Sequence, residues 1–596
     1  MAAHSDENKR SPLKAWVRAL ERTTAIERDR SLTLPVLIGR LAERCGDAPA
    51  LLSPDAVLSY RGLAAACHRY ARWGLAHGLG RGDTVCLVMA NCPDYLAIWL
   101  GLSGIGATVA LINTNLRGEL LAHSLNLVAP RCVIAGASLA AAVRAVQPLL
   151  ERGVECWVSG AGGGDLPRLD EAVAGLPGEA LLDGEVRAPS LEDRALLIYT
   201  SGTTGLPKAA NVSHFRLMQW SHWFAGLMDV QPADRMYDCL PMYHSVGGVV
   251  ATGATLVGGG AVVLRERFSA SGFWKDVVAE RCTLFQYIGE LCRYLLGNPP
   301  QAEESRHALR LACGNGLRAE VWREFQQRFR IPQILEYYAA TEGNFSLYNC
   351  EGRPGAIGRI PPFLAHRVPV ALVKYDVATA APARDASGRC VRCAPQEAGE
   401  ALGQIVSANG ATRFEGYSDD AASATKILRD VFTPGDAWYR TGDLMRRDEQ
   451  GFFYFVDRVG DTFRWKGENV STTEVAGVIA ACPGVTDAAV YGVSVPGTEG
   501  RAAMAALVAG PDFDLGELRR ALVARLPDYA RPLFIRIVSA IELTGTFKLQ
   551  KQELARAGYD PAGMSDALYI DDAAHGAYVR LDEALHQRLQ AGKLRL

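Results

Sequence analysis

The sequence predicts an α/β protein, a large N-terminal lobe followed by a smaller α+β unit. Three observations carry that reading. From about residue 34 to residue 370, near-continuous apolar runs alternate with helical patterns, as strands buried on both faces between helices do. After about residue 400 the texture changes to short alternating strands with turns, and a compact helix-and-strand unit follows from Thr472. The 596 residues exceed what one core usually organises, and the composition, 49% hydrophobic and 21% charged, is ordinary globular usage. A wholly disordered or fibrous chain is excluded.

Taken in order, Ser11-Pro12 opens a helix, with Ser as N-cap and Pro at the first helical position. Leu13, Trp16, Val17 and Leu20 fall on one face, and Lys14, Arg18 and Arg22 stack on another. Two readings stay open: a helix packed on its own domain, or an interfacial anchor whose basic residues meet anionic lipid. Strands are expected at Thr84–Met89, Cys132–Ala135, Ala195–Tyr199 and Ala261–Leu264. The uncharged stretches Tyr95–Leu116 and Cys239–Leu264 carry polar residues and glycines, which suits buried helix-plus-strand units better than a bilayer span. Ser159–Ser190, rich in Gly and Pro, reads as a surface connection, and Asp448-Glu449-Gln450-Gly451 as a hairpin turn.

Composition narrows the function classes. Sixty-three basic against 65 acidic residues give a net charge of −2, without the basic excess of a nucleic-acid binder. The 14 cysteines, among them Cys86, Cys239 and Cys313 inside apolar runs, read as reduced, buried thiols of an intracellular protein. Cys390 and Cys393 form a lone CxxC, expected in a solvated loop. The polar N-terminus lacks the apolar core of a signal peptide. The expectation is a cytoplasmic protein, with peripheral contact at the inner face of the membrane as the variant the first helix leaves open.

The strongest local signal is Tyr199-Thr200-Ser201-Gly202-Thr203-Thr204-Gly205-Leu206-Pro207-Lys208, directly after an apolar strand. Glycine lets backbone N–H groups turn toward an anion, hydroxyls donate hydrogen bonds and the lysine adds a point charge, a combination suited to polyphosphate. No GxxxxGK[ST], GxSxG or HExxH occurs in the chain. With this loop, Tyr338-Ala339-Ala340-Thr341-Glu342, Tyr439-Arg440-Thr441-Gly442-Asp443, Asp457-Arg458-Val459-Gly460-Asp461 and Thr544-Gly545-Thr546-Phe547-Lys548 follow in order. The sequence thereby resembles the adenylate-forming superfamily of AMP-producing acyl-CoA synthetases. Ala339 stands where that family usually has Gly. Phe463–Val475, Ile288-Gly289-Glu290 and Cys313–Arg318 are similar to its fatty acid transport protein and very-long-chain acyl-CoA synthetase branch.

The resemblance implies an α/β lobe of helix-flanked mixed sheets with a small barrel-like region, residues 34–460, behind an N-terminal helical extension, 1–33. It also implies a mobile C-terminal α+β domain, 461–596, hinged at Asp461. ATP, Mg²⁺ and CoA are the implied cofactor and co-substrates, and a long or very long fatty acid the implied partner, with oligomeric state undefined. An acyl-AMP ligase serving a carrier protein, a ligase for a sterol-type carboxylate and a fatty-acid uptake protein are the rival readings. The loop of Thr200, Ser201, Gly202, Thr203, Thr204, Gly205 and Lys208 is implied to wrap the β- and γ-phosphates, with Thr203 also implied as catalytic. Glu342 is implied as Mg²⁺ ligand, Tyr338, Gly314 and Asn315 as adenine contacts, Thr341 as a further ATP/AMP-binding residue, and Asp443 with Arg458 as ribose contacts. The alternatives are a core tyrosine for Tyr338 and a surface ion pair for Asp443 and Arg458. His244 is implied to orient the carboxylate, or else is a satisfied core histidine. Trp220, Trp223 and Phe224 line an acyl tunnel or form aromatic core. Lys548 is implied to act in the first step, and Trp465, Lys466, Gly467 and Glu468 to line the pantetheine channel in the second. Lys551 is expected to be a solvated surface charge.

Overall fold

The computed structural model describes residues 12–594, apart from 152, 183, 202–206, 378, 407–411, 467, 497, 499, 543–549 and 573–574. The chain forms two compact units: one runs to Val368 and takes in Gln404–Leu428, the other holds Pro369–Gly403 and the chain from Arg429 onward.

Two sheets organise the first unit. The first has the order Glu155–Ser159, Cys132–Gly136, Thr84–Val88, Thr108–Leu111, Arg194–Ser201, Pro207–Ser213. All of its pairings are parallel except the last, an antiparallel hairpin. The second has six parallel strands in the order Ile334–Ala339, Leu311–Asn315, Leu284–Ile288, Arg235–Asp238, Ala261–Leu264, Pro49–Leu52. Antiparallel strands Ser346–Asn349 and Val57–Ser59 flank it. Every residue of Thr84–Val88, Thr108–Leu111 and Ala261–Leu264 is buried, which is why these strands read as unbroken apolar runs rather than alternations. The polar-flecked stretches become helix Pro93–Gly104 with its following strand, and a π-helix, Val246–Ala251, running into Thr252–Val257. Among its described residues, the Ser159–Ser190 connection contains one short helix, Leu169–Ala174. Among the described residues no helix is long and apolar enough to cross a membrane.

The N-terminal helix, Pro12–Arg28, packs on helix His214–Leu227, but not on the face its periodicity suggests. Leu13 and Val17 are 54% and 40% exposed, whereas Ala15, Trp16, Ala19 and Ile26 are buried. The small residues let the two backbones approach closely: a Cβ at Gly226 would lie 2.4 Å from the Cα of Ala19. Two of the three basic residues, Arg18 and Arg22, are turned inward onto the end of the partner helix, while Lys14 is exposed. Arg18 donates to the Gly226 carbonyl at 3.2 Å, Arg22 to that of Val230 at 2.9 Å, and Arg18 pairs with Asp229 at 3.4 Å. These cations sit where a helix C-terminus attracts them, and the helix packs on its own unit.

In the second unit, Val370–Val373, Gly399–Gln404, Ala437–Arg447 and Phe452–Arg458 form one sheet. A five-stranded sheet, Val485–Val493, Ala502–Ala509, Phe534–Ile537, Ala567–Asp572 and Ala577–Arg580, follows with helices Thr472–Ala480 and Leu515–Arg525. The hairpin expected at Asp448–Gly451 is present. Cys390 corrects one expectation: it is buried, its N–H bonded to the Val431 carbonyl, rather than placed in a solvated loop.

Candidate active site

The Tyr199–Lys208 motif forms the hairpin at the edge of the six-stranded sheet, with Thr200 opposite Lys208 and Ser201 opposite Pro207. Gly202, Thr203, Thr204 and Gly205, together with the Ser201 side chain, lie outside the described residues. A segment that sequence reasoning did not single out lies along the outer strand. The Asn211 backbone N–H donates to the Gly416 carbonyl at 3.0 Å, and its side-chain amide donates to the Glu415 and Tyr417 carbonyls at 2.9 Å each. The Ser418 N–H donates to Ala209 at 2.8 Å. The Glu415 side chain is buried: Oε1 accepts from the Ser213 hydroxyl at 2.6 Å, Oε2 from the Ser213 N–H at 2.8 Å, and Arg216 stands 3.7 Å away. Arg216 also donates to the Thr341 carbonyl at 2.9 Å, tying this segment to the loop that ends in Glu342.

Tyr417 joins the three parts. Its hydroxyl donates to Glu342 Oε1 at 2.9 Å, and the Lys208 ammonium lies 5.7 Å from its ring centroid. Burial, then the Glu342 charge, raises the Tyr417 phenol well above its ordinary range, so it stays a donor. Glu342 Oε2 has no partner among the described residues. One hard carboxylate oxygen suits Mg²⁺, which keeps waters and is bound mainly through substrate phosphates rather than in an all-protein cage. The donor set fits the implied metal. Among the described residues no group of three or more His, Cys, Asp or Glu side chains forms such a cage.

Strand ends of the second sheet build the adjoining wall. Tyr338 is near the end of Ile334–Ala339, 6.0 Å from the Phe345 ring. Gly314 and Asn315 close strand Leu311–Asn315, and Gly316 takes φ +80°. A Cβ on Gly314 would lie 2.2 Å from the Tyr287 carbonyl, so only glycine fits there. Beneath this turn, Glu336 accepts from the Tyr287 hydroxyl at 2.5 Å and from the Leu317 N–H at 3.1 Å. Burial pushes its carboxyl up to about 8.

His244 is delivered by a turn that Asn91 holds: its amide donates to the carbonyls of Leu240 (2.8 Å) and Arg265 (3.0 Å), and its oxygen accepts from the Met242 N–H at 2.8 Å. The π-helix starts two residues later. A Cβ at Gly248 would lie 2.2 Å from the Met242 carbonyl, so the glycine lets the helix fold back over the turn. Ser245 and Thr341 hydroxyls meet at 3.1 Å, which brings the His244 segment to the Glu342 loop. Trp220 lies under the Arg216 guanidinium (5.5 Å), while Trp223 and Phe224 join an aromatic cluster with Trp16, Tyr337 and Tyr348.

In the second unit, Asp443 and Arg458 are opposite each other across paired strands and form an ion pair at 3.5 Å. Asp443 is largely buried, its backbone N–H bonded to the Thr441 hydroxyl at 3.0 Å. Trp465 and Glu468 pair across a tight hairpin, Trp465 being buried, and Lys466 at its turn has φ +50° and an ion pair to Asp528 at 3.2 Å. Gly467 and Lys548 lie outside the described residues. Lys551 corrects its expected role as a solvated charge: it donates to the Thr472 hydroxyl at 2.8 Å and pairs with Asp461 at 3.3 Å.

Nothing local in the sequence marks Tyr417, Glu415, Arg216, Asn91 or Glu336, whose partners lie from 19 to 202 residues away. Against known proteins, the AMP-binding enzyme pattern matches residues 39–379 and the AMP-binding enzyme C-terminal domain pattern residues 474–548. The chain is 45% identical to mouse (Mus musculus) long-chain fatty acid transport protein 1, over 87% of this chain and 81% of that one. It is 40% identical to the medium/long-chain-fatty-acid–CoA ligase FadD6 of Mycobacterium tuberculosis, over 90% and 88%. Its fold matches ATP-bound MatB from Rhodopseudomonas palustris, with TM-score 0.74, 24% identity, and 89% and 100% of the two chains covered. The chain belongs to the AMP-binding enzyme family.

Proposed function

We propose that this protein is a long-chain or very-long-chain fatty acid–CoA ligase that forms AMP. What supports the proposal is that Tyr417 links Lys208 of the hairpin to Glu342, and that Ser245, next to His244, meets Thr341, next to Glu342. Similarity to relatives named as fatty acid transport proteins and a fatty-acid–CoA ligase supports the acyl substrate.

In the first half-reaction a fatty-acid carboxylate oxygen attacks the α-phosphorus of ATP, giving acyl-AMP and pyrophosphate. Thr200, Ser201, Gly202, Thr203, Thr204, Gly205 and Lys208 hold the β- and γ-phosphates. Glu342 presents its second oxygen for Mg²⁺, which when bound offsets the phosphate charge. Tyr338, Gly314 and Asn315 receive the adenine, Thr341 takes part in nucleotide binding, and Asp443 with Arg458 receives the ribose. His244 orients the carboxylate. Positioning and charge stabilisation suffice, with no covalent intermediate on a side chain. In the second half-reaction the CoA thiolate attacks the acyl carbonyl and AMP leaves. Rotation about Asp461 exchanges Lys548 for the hairpin of Trp465, Lys466, Gly467 and Glu468, which lines the pantetheine path.

AMP release measured across fatty acids of increasing length, with and without CoA, tests this. Each buried CH₂ contributes about 0.8 kcal/mol, so kcat/KM should climb from C2 to C16 and AMP should turn over only with CoA present. Equal kcat/KM for acetate and palmitate, or acyl-AMP accumulating in the presence of CoA, contradicts it.

A further inference from the structure

We infer that Tyr417 is a positioning residue that keeps Lys208 and Glu342 from neutralising each other, so that both charges remain available to the nucleotide. The inference rests on the phosphate-binding role proposed for the Thr200–Lys208 hairpin. Lys208 and Glu342 carry opposite charges and both lie within contact of one tyrosine, the ammonium over the ring face and the carboxylate on the hydroxyl. Neither makes an ion pair among the described residues, whereas Arg216 with Glu415 and Arg413 with Glu192 do.

The chemistry of the phenol explains the arrangement. A ring face attracts an ammonium without consuming its N–H donors for a carboxylate. The hydroxyl satisfies one carboxylate oxygen with a neutral donor and leaves the other for a cation. A lysine in place of that hydroxyl would cancel the charge that a magnesium-bound phosphate needs, and the pair would have to separate before MgATP could enter.

The ring itself is held rigidly. Residues 415–418 are bonded along strand Pro207–Ser213 through Asn211 and Ala209, and the buried Glu415 side chain is locked by Ser213 and Arg216. Arg216 in turn fixes the Thr341 carbonyl next to Glu342. The same strap thus fixes the height of Tyr417 above Lys208 and the approach of Glu342. A side chain that served only as packing would not need its hydroxyl, its ring face and both ends of the segment engaged at once.

The test is calorimetric binding of metal-free ATP, where Lys208 contributes and Glu342 opposes, to the full-length protein. Tyr417→Ala, which lets the two charges meet, should weaken metal-free ATP binding by about tenfold, the scale of a charge-assisted hydrogen bond. Adding Glu342→Gln to Tyr417→Ala should return the affinity to that of the Glu342→Gln single variant, because Lys208 is released. Tyr417→Phe, keeping the ring, should retain most of it. The inference is overturned if Tyr417→Ala binds metal-free ATP like wild type, or if the second substitution fails to restore binding in a protein whose melting temperature is unchanged. A wild-type protein that binds no ATP would instead refute the phosphate-binding role of the hairpin.

Discussion

His214 and His222 sit eight residues apart on one helix, both buried, and burial pushes each imidazole from 6.5 down to about 4. Between those values the unfolded chain binds protons that the folded chain refuses. Stability from these groups is therefore complete above pH 6.5 and lost as pH falls toward 4, by about 3 kcal/mol per histidine. The urea midpoint should drop between pH 7 and 5, and His214→Gln with His222→Gln should flatten that acid limb. An unchanged limb in the double variant would assign the acid sensitivity to carboxylates instead. At this scale the sequence exposed the residues that stand in short motifs, such as Glu342 and Asp443. It did not expose Tyr417, Glu415 or Asn91, which are ordinary residue types made functional by partners from 75 to 202 positions away.

The first helix illustrates what local periodicity can and cannot decide. Its existence follows from Pro12 and the apolar spacing, yet the buried stripe is Ala15, Trp16 and Ala19. Hydrophobicity favours Leu13 and Val17, but close approach to Gly226 selects small residues, a preference set by the other helix. Gly226→Ala should force the helices apart and lower stability by about 1–3 kcal/mol, read as a fall in melting temperature; an unaltered value would mean the contact is loose. Lys551 makes the same point in the second unit, where Thr472 and Asp461, 79 and 90 residues distant, turn an expected surface charge into a clamp beside the proposed hinge. Lys551→Ala should cost about 1 kcal/mol, the Asp461 carboxylate being partly solvated, whereas Lys593→Ala, at an exposed site, should not. Equal melting temperatures for the two variants would remove the clamp from the account.

At the scale of the molecule, the alternation of buried strands with helices was legible because parallel sheets covered on both faces leave unbroken apolar runs. Strand order was not, since Pro49–Leu52 pairs with Ala261–Leu264 more than 200 residues away, and pairing partners leave no local trace. The central claim is that one carbonyl meets two different sets of residues in succession, with Lys548 serving only the first. The most direct measurement is the pair of half-reactions of Lys548→Ala: pyrophosphate release from ATP and fatty acid, and thioester formation from prepared acyl-AMP with CoA. Loss of a preorganised donor to developing charge costs about 10²–10³ in rate. Pyrophosphate release should fall by at least that factor while thioester formation from acyl-AMP continues. Normal pyrophosphate release, or an equal decline of both half-reactions in a folded protein, would contradict the account.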